Sequence, residues 1–168
     1  MEKTLQILNE LEAAGVVTRY AIGGALAAFF YSEAVVTEDL DAFVLLAKPA
    51  SGLVSLSPVY EFLKSRGAAE HREHLLIAGT LVQVIPAYDA LTEEAVREAI
   101  ERVVGRTPTR VMRPEHLLAI ALRTGRAKDR ARVALLLEEA EVDASRLTDI
   151  LERHQLLDQW NQFKATQS

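Results

Sequence analysis

Two aspartates, Asp39 and Asp41, stand two residues apart at the head of an apolar run, DLDAFVLL over 39–46. The run has strand character, and on a strand residues i and i+2 project from the same face. The two carboxylates therefore leave one sheet face side by side. Like charges that close repel, and one pKa rises unless a cation sits between them. Hard divalent ions such as Mg²⁺ take carboxylate oxygens and share them with substrate phosphates. The spacing points to a metal–phosphate site on a sheet. The plainer alternative is a pair of exposed acids at a strand entrance.

The segment upstream suits the first reading. Arg19 to Ile22 is short and mostly apolar, as a buried strand would be, and Gly23-Gly24 breaks it. Ala25 to Tyr31 has good helix formers and no charge, so it reads as a buried helix. Backbone without side chains at Gly23 and Gly24 could approach a phosphate closely. A tight strand-to-helix turn would call for the same glycines without any ligand.

Composition narrows the class. The chain has 168 residues, 49% of them hydrophobic, which allows a sizeable core. A net charge of −5 argues against broad non-specific nucleic-acid binding. The absence of cysteine excludes disulfides and thiolate metal sites. No apolar stretch reaches the roughly 18 residues of a membrane span, and residues 1–15 read as an amphipathic helix rather than a secretory signal. The expectation is a soluble, cytoplasmic protein.

Leu5, Leu8 and Leu11 recur at helical spacing, and Gly15 is a natural stop. Residues 48–57 read as loop, followed by a helix from Ser57-Pro58 to about Arg66. Glu73 to Ile85 reads as a hairpin around Ala78-Gly79-Thr80, closed by Pro86. Thr92 is expected to start a helix running to about Ile100. Glu101 to Met112 follows as a second, edge hairpin. Helices are expected from Pro114, over Lys128–Glu139, after a cap at Asp143, and over His154–Phe163, with the last five residues frayed. Strands come early and helices dominate the end, so the class is α+β, or α/β with a helical C-terminal part. The division expected is a core over 1–112 and a helical part over 113–168.

Other candidates are weaker. His71 and His74, with Glu73 between them, resemble a metal cluster, but a strand or turn there would keep them off one face. His116 and His154 fall within helical patterns and read as structural or exposed. Trp160 and Phe163 would pack the last helix. No nucleophile elbow, P-loop or dinucleotide fingerprint is present. A stripe of Leu147, Ile150, Leu151 and Leu157 would serve self-association as a homodimer, or simply the core.

Three segments together resemble the nucleotidyltransferase superfamily of DNA polymerase beta type, and within it the small AbiE-toxin-like proteins. They are strand–Gly23-Gly24–helix–Thr37-x-Asp39-x-Asp41, LVQVIPAYDALTEEA at 81–95, and RPEHLLAIALRTGRAKDRARVALLLE at 113–138. The resemblance implies a minimal nucleotidyltransferase fold, a mixed sheet flanked by helices. It implies transfer of a nucleoside monophosphate from an NTP, with Mg²⁺ (or Mn²⁺) on Asp39 and Asp41. Gly23, Gly24 and Thr37 would then seat phosphates, with Arg126, Lys128 and Asp129 assisting. The acceptor could be RNA, a protein or a small molecule. The chain departs from the family at three places. Gln83 aligns with a third carboxylate that serves as general base, and a neutral amide cannot do that work. Ala121 stands at a usual lysine, and Arg132 where an aspartate is expected. A catalytically impaired nucleotide-binding or toxin–antitoxin-type regulatory protein is therefore the alternative.

Overall fold

The computed structural model describes residues 1–32, 39–47 and 54–167. The elements are α1 (Glu2–Ala13), β1 (Arg19–Ile22), α2 (Gly24–Phe29), β2 (Asp39–Leu45), α3 (Ser57–Ser65), β3 (Ala69–His71), β4 (His74–Ile77), β5 (Thr80–Pro86), α4 (Ala90–Arg97), β6 (Ile100–Val104), β7 (Thr107–Val111), α5 (Pro114–Thr124), α6 (Ala127–Glu139), α7 (Ala144–Arg153) and α8 (Leu157–Gln167). The strands form one sheet in the order β3-β4-β5-β2-β1-β7-β6. β2 runs parallel to β5 and β1 parallel to β7, and the remaining neighbours are antiparallel. The class is α+β with a mixed sheet and a helical C-terminal part. Among the described residues, no helix is long and apolar enough to cross a membrane.

Alternation along β2 sorts the molecule into two faces. Leu40, Ala42 and Val44 point one way and are fully buried. The register Tyr20↔Val44 and Ile22↔Ala42 puts Tyr20 and Ile22 on that same face. The Tyr20 hydroxyl donates to Asn9 Oδ1 of α1 at 2.7 Å, so α1 covers this side. Leu5, Leu8 and Leu11 are wholly buried, each worth about 1.5–3 kcal/mol of apolar burial, and α3 packs beside α1. Asp39, Asp41 and Phe43 point the other way, towards α2 and the C-terminal helices. There α5 is the hub, packed on α2, α4, α6, α7 and α8.

Several boundaries differ from expectation for local reasons. The helix expected from Thr92 starts at Ala90, because Asp89 is its N-cap: Asp89 Oδ1 accepts from Thr92 N at 3.0 Å. It ends at Arg97, and Ile100 opens β6 instead. The hairpin over 74–86 gains a third strand, β3, which pairs His71 with His74. Directly opposed residues share a face, so the two histidines do lie on one side of the sheet, contrary to the expectation. The helix expected over His154–Phe163 is displaced. Chain geometry breaks at Gln155, with φ of 57°, and α8 begins at Leu157 and runs through Gln167 rather than fraying. Of the expected stripe, Leu147, Ile150 and Leu151 are 5%, 1% and 1% exposed and serve this chain's own core, whereas Leu157 is 38% exposed. The expected strand residues Thr37 and Glu38, and residues 48–53 of the loop expected over 48–57, lie outside the described residues.

Candidate active site

A cavity of about 610 Å³ opens between the carboxylate-bearing sheet face and the corner joining α5 to α6. Asp39 and Asp41 enter it from β2, together with Gln83 from β5. The pairing Asp41↔Gln83 in the parallel β2–β5 ladder fixes that neighbourhood. His74 opens β4, which pairs antiparallel with β5 from Leu75↔Val82 onwards. His74 Nε2 stands 3.6 Å from Asp39 Oδ2. Local spacing groups this histidine with His71 and Glu73, whereas the strand order β4-β5-β2 brings it to Asp39.

The two glycines have different jobs. A Cβ on Gly23 would come within 2.5 Å of the Phe43 ring, so Gly23 is small for packing, and it does not line the cavity. Gly24 does line it, has φ of +60°, and leaves the space that the Asp41 carboxylate fills. A side chain at Gly24 would overlap that carboxylate. Gly23 N donates to Asp41 O at 2.9 Å, which anchors the turn to the aspartate strand.

Electrostatics make Asp41 the site's tense group. Burial pushes its carboxyl above the usual range, and the charge of Asp39 pushes it further. Arg132, Lys128 and His74 pull it back. Two oxygen donors on one face, one of them reluctant to ionise alone, with hard oxygen chemistry and no sulfur, fit a Mg²⁺-like ion.

The opposite wall is the start of α6. Arg126, Lys128 and Asp129 all line the cavity. Asp129 is buried and accepts from Arg126 Nε at 2.6 Å and from Arg132 Nη1 at 3.4 Å. That pairing raises the Arg126 guanidinium further above its ordinary range. Asp129 therefore holds two guanidiniums in place. The first N–H groups of α6 add the positive end of a thirteen-residue helix. Ala121 lies in the wall and is 3% exposed, so no cation comes from that position. Arg123 forms a two-pronged pair with Asp89, at 2.8 and 3.2 Å. Asp89 also lines the cavity, but is spent on Arg123 and on the α4 cap.

A second group of potential ligands, Glu94, Glu98 and His116, lies elsewhere, with donor atoms within 4.8 Å of one another. Glu94 is already occupied. It accepts from Arg153 at 2.6 and 2.9 Å and meets His116 and His154 at 3.0 and 2.9 Å. This cluster ties α4 to α5 and to the end of α7. His116 is fully buried there, consistent with a structural role.

In fold, an α+β arrangement on a mixed sheet, the chain is similar to solved nucleotidyltransferases. The chain aligns with the solution structure of the antibiotic-resistance factor ANT(2'')-Ia at a TM-score of 0.52 and 14% identity, over 100% of both chains. It aligns with crystalline ANT(2'')-Ia in complex with adenylyl-2''-tobramycin at 0.52 and 15%, over 96% of this chain and 95% of the other. An antigenic nucleotidyltransferase-like protein from Paracoccidioides brasiliensis matches at 0.52 and 15%, over 96% and 90%. At such identities the likeness is one of fold. No family model and no curated protein matches the chain.

Proposed function

We propose that this protein binds a nucleoside triphosphate and transfers its nucleoside monophosphate to an acceptor, releasing pyrophosphate. The observation that carries this reading is the convergence of Asp39 and Asp41 with the cationic start of α6 across one cavity. Asp39 and Asp41 would hold a divalent ion, Mg²⁺ or Mn²⁺, which supplies charge neutralisation at the α-phosphate. Lys128, Arg126 and the α6 N–H groups receive the polyphosphate. Asp129 positions Arg126, and Gly24 leaves room for Asp41. The solved adenylyl-2''-tobramycin complex supports the reading by analogy of fold.

A second reading is a nucleotide-binding protein without turnover, of regulatory or toxin–antitoxin type. It is favoured by Gln83 beside Asp41, with Asp89 and Asp129 both committed to arginines. Calorimetry with Mg²⁺ and each NTP, alongside α-labelled NTP transfer, tests both. The first reading expects Mg²⁺-dependent binding that Asp41→Asn abolishes, and label transfer to an acceptor. Binding without transfer to any acceptor would leave the second reading, and binding unchanged in Asp41→Asn would remove the first.

A further inference from the structure

The proposed transfer raises a chemical question that the cavity answers. An alcohol or amine acceptor must lose a proton as it bonds to phosphorus, so some group must take it. Asp39 and Asp41 are committed to the cation. Asp89 is doubly bonded by Arg123 and caps α4. Asp129 is buried under Arg126 and Arg132. Gln83, level with Asp41, offers an amide, which donates and accepts hydrogen bonds but takes no proton. Thr124 spends its hydroxyl on Ile120 O. His74 turns Nε2 towards Asp39 and does not line the cavity. Among the described cavity residues, no carboxylate stands free to serve as a base.

Resting on the transferase reading above, we infer that the acceptor is a nucleophile already ionised at neutral pH, a phosphate or phosphate monoester. Phosphomonoesters have a second pKa near 6, so they reach the site largely as dianions. In the step, a phosphate oxygen anion attacks the α-phosphorus of the NTP. The new bond is a P–O–P anhydride. The bond from the α-phosphorus to the bridging oxygen breaks, and pyrophosphate leaves with its electron pair. No proton moves, so Gln83 needs only to donate its N–H to the entering oxygen. A glutamate there would place a repelling charge on the same path.

The test uses glycerol 3-phosphate, inorganic phosphate and glycerol as matched acceptors, with α-labelled NTPs and Mg²⁺. ³¹P NMR of the product separates an anhydride, with its phosphorus–phosphorus coupling, from a phosphodiester. The expected result is an anhydride product, with glycerol 3-phosphate preferred over glycerol by roughly 100-fold or more, the scale of a missing general base. Gln83→Glu should raise transfer to glycerol roughly 10-fold or more and lower transfer to the phosphate ester. Gln83→Asp is the second variant should that one fail to fold. Calorimetry on the complex with a non-hydrolysable NTP, independent of turnover, should show binding of glycerol 3-phosphate and none of glycerol. Nucleotide binding with transfer to glycerol hydroxyls, or with no transfer to either phosphate, overturns this inference and leaves nucleotide recognition standing. Absence of nucleotide binding overturns both.

Discussion

Gly24→Ala tests the link between backbone and site most sharply. Gly24 sits at φ of +60°, where a non-glycine residue is strained by about 1–2 kcal/mol. Alanine also restricts the unfolded chain, which returns about 0.4–1 kcal/mol. Strain alone therefore costs about 1 kcal/mol. Gly15 provides the control, with φ of +70° and nothing within 4 Å of its would-be Cβ. At Gly24 the new Cβ would overlap the Asp41 carboxylate. That side chain must leave its rotamer at a further cost of about 0.5–1.5 kcal/mol. Urea denaturation should show Gly15→Ala down by about 1 kcal/mol and Gly24→Ala by about 2 kcal/mol. Only Gly24→Ala should lose Mg²⁺-dependent NTP binding in calorimetry. Equal destabilisation, with nucleotide affinity intact in both, would refute the claim that Gly24 exists to seat Asp41.

Asp41→Asn should stabilise the metal-free protein at pH 7. Burial and Asp39 raise the native pKa of Asp41, so its ionisation opposes folding. The stability favoured by its neutral form is present below the unfolded value of 3.8 and lost as pH rises through the native one. The margin of the variant, measured by urea midpoints, should fade towards pH 3. Glu94→Gln should behave oppositely. Hydrogen bonds from Arg153 first, then His116 and His154, hold Glu94 well below the carboxylate range, against the cost of burial. The variant should lose about 1–3 kcal/mol at pH 7, with the difference shrinking as pH falls below 4.5. Lys128→Ala should weaken NTP binding roughly 10-fold, the worth of one charge-assisted hydrogen bond, and leave the thermal midpoint nearly unchanged.

The fold was legible where side-chain chemistry acts locally. The Leu5, Leu8 and Leu11 stripe, the Gly23-Gly24 break and the apolar run after Asp39 each announce an element and its buried face. The common face of Asp39 and Asp41 was legible for the same reason, since i and i+2 on a strand share a face whatever surrounds them. What escaped depends on partners distant in sequence. His74 reaches Asp39 only because the sheet sets β4 beside β5 and β5 beside β2. Asp89 caps α4 and pairs with Arg123, 34 residues on, a partner that no local pattern announces. Gly23 and Gly24 looked like one motif, and only three-dimensional neighbours separate a packing glycine from one that makes room for a carboxylate.

A crystal structure with Mg²⁺ and a non-hydrolysable NTP bears most directly on the central claim. The ion should lie between Asp39 and Asp41, with the triphosphate running from it to Lys128 and the first turn of α6. A nucleotide bound elsewhere, or an ion seated on Glu94, Glu98 and His116 with the aspartate pair bare, would contradict it.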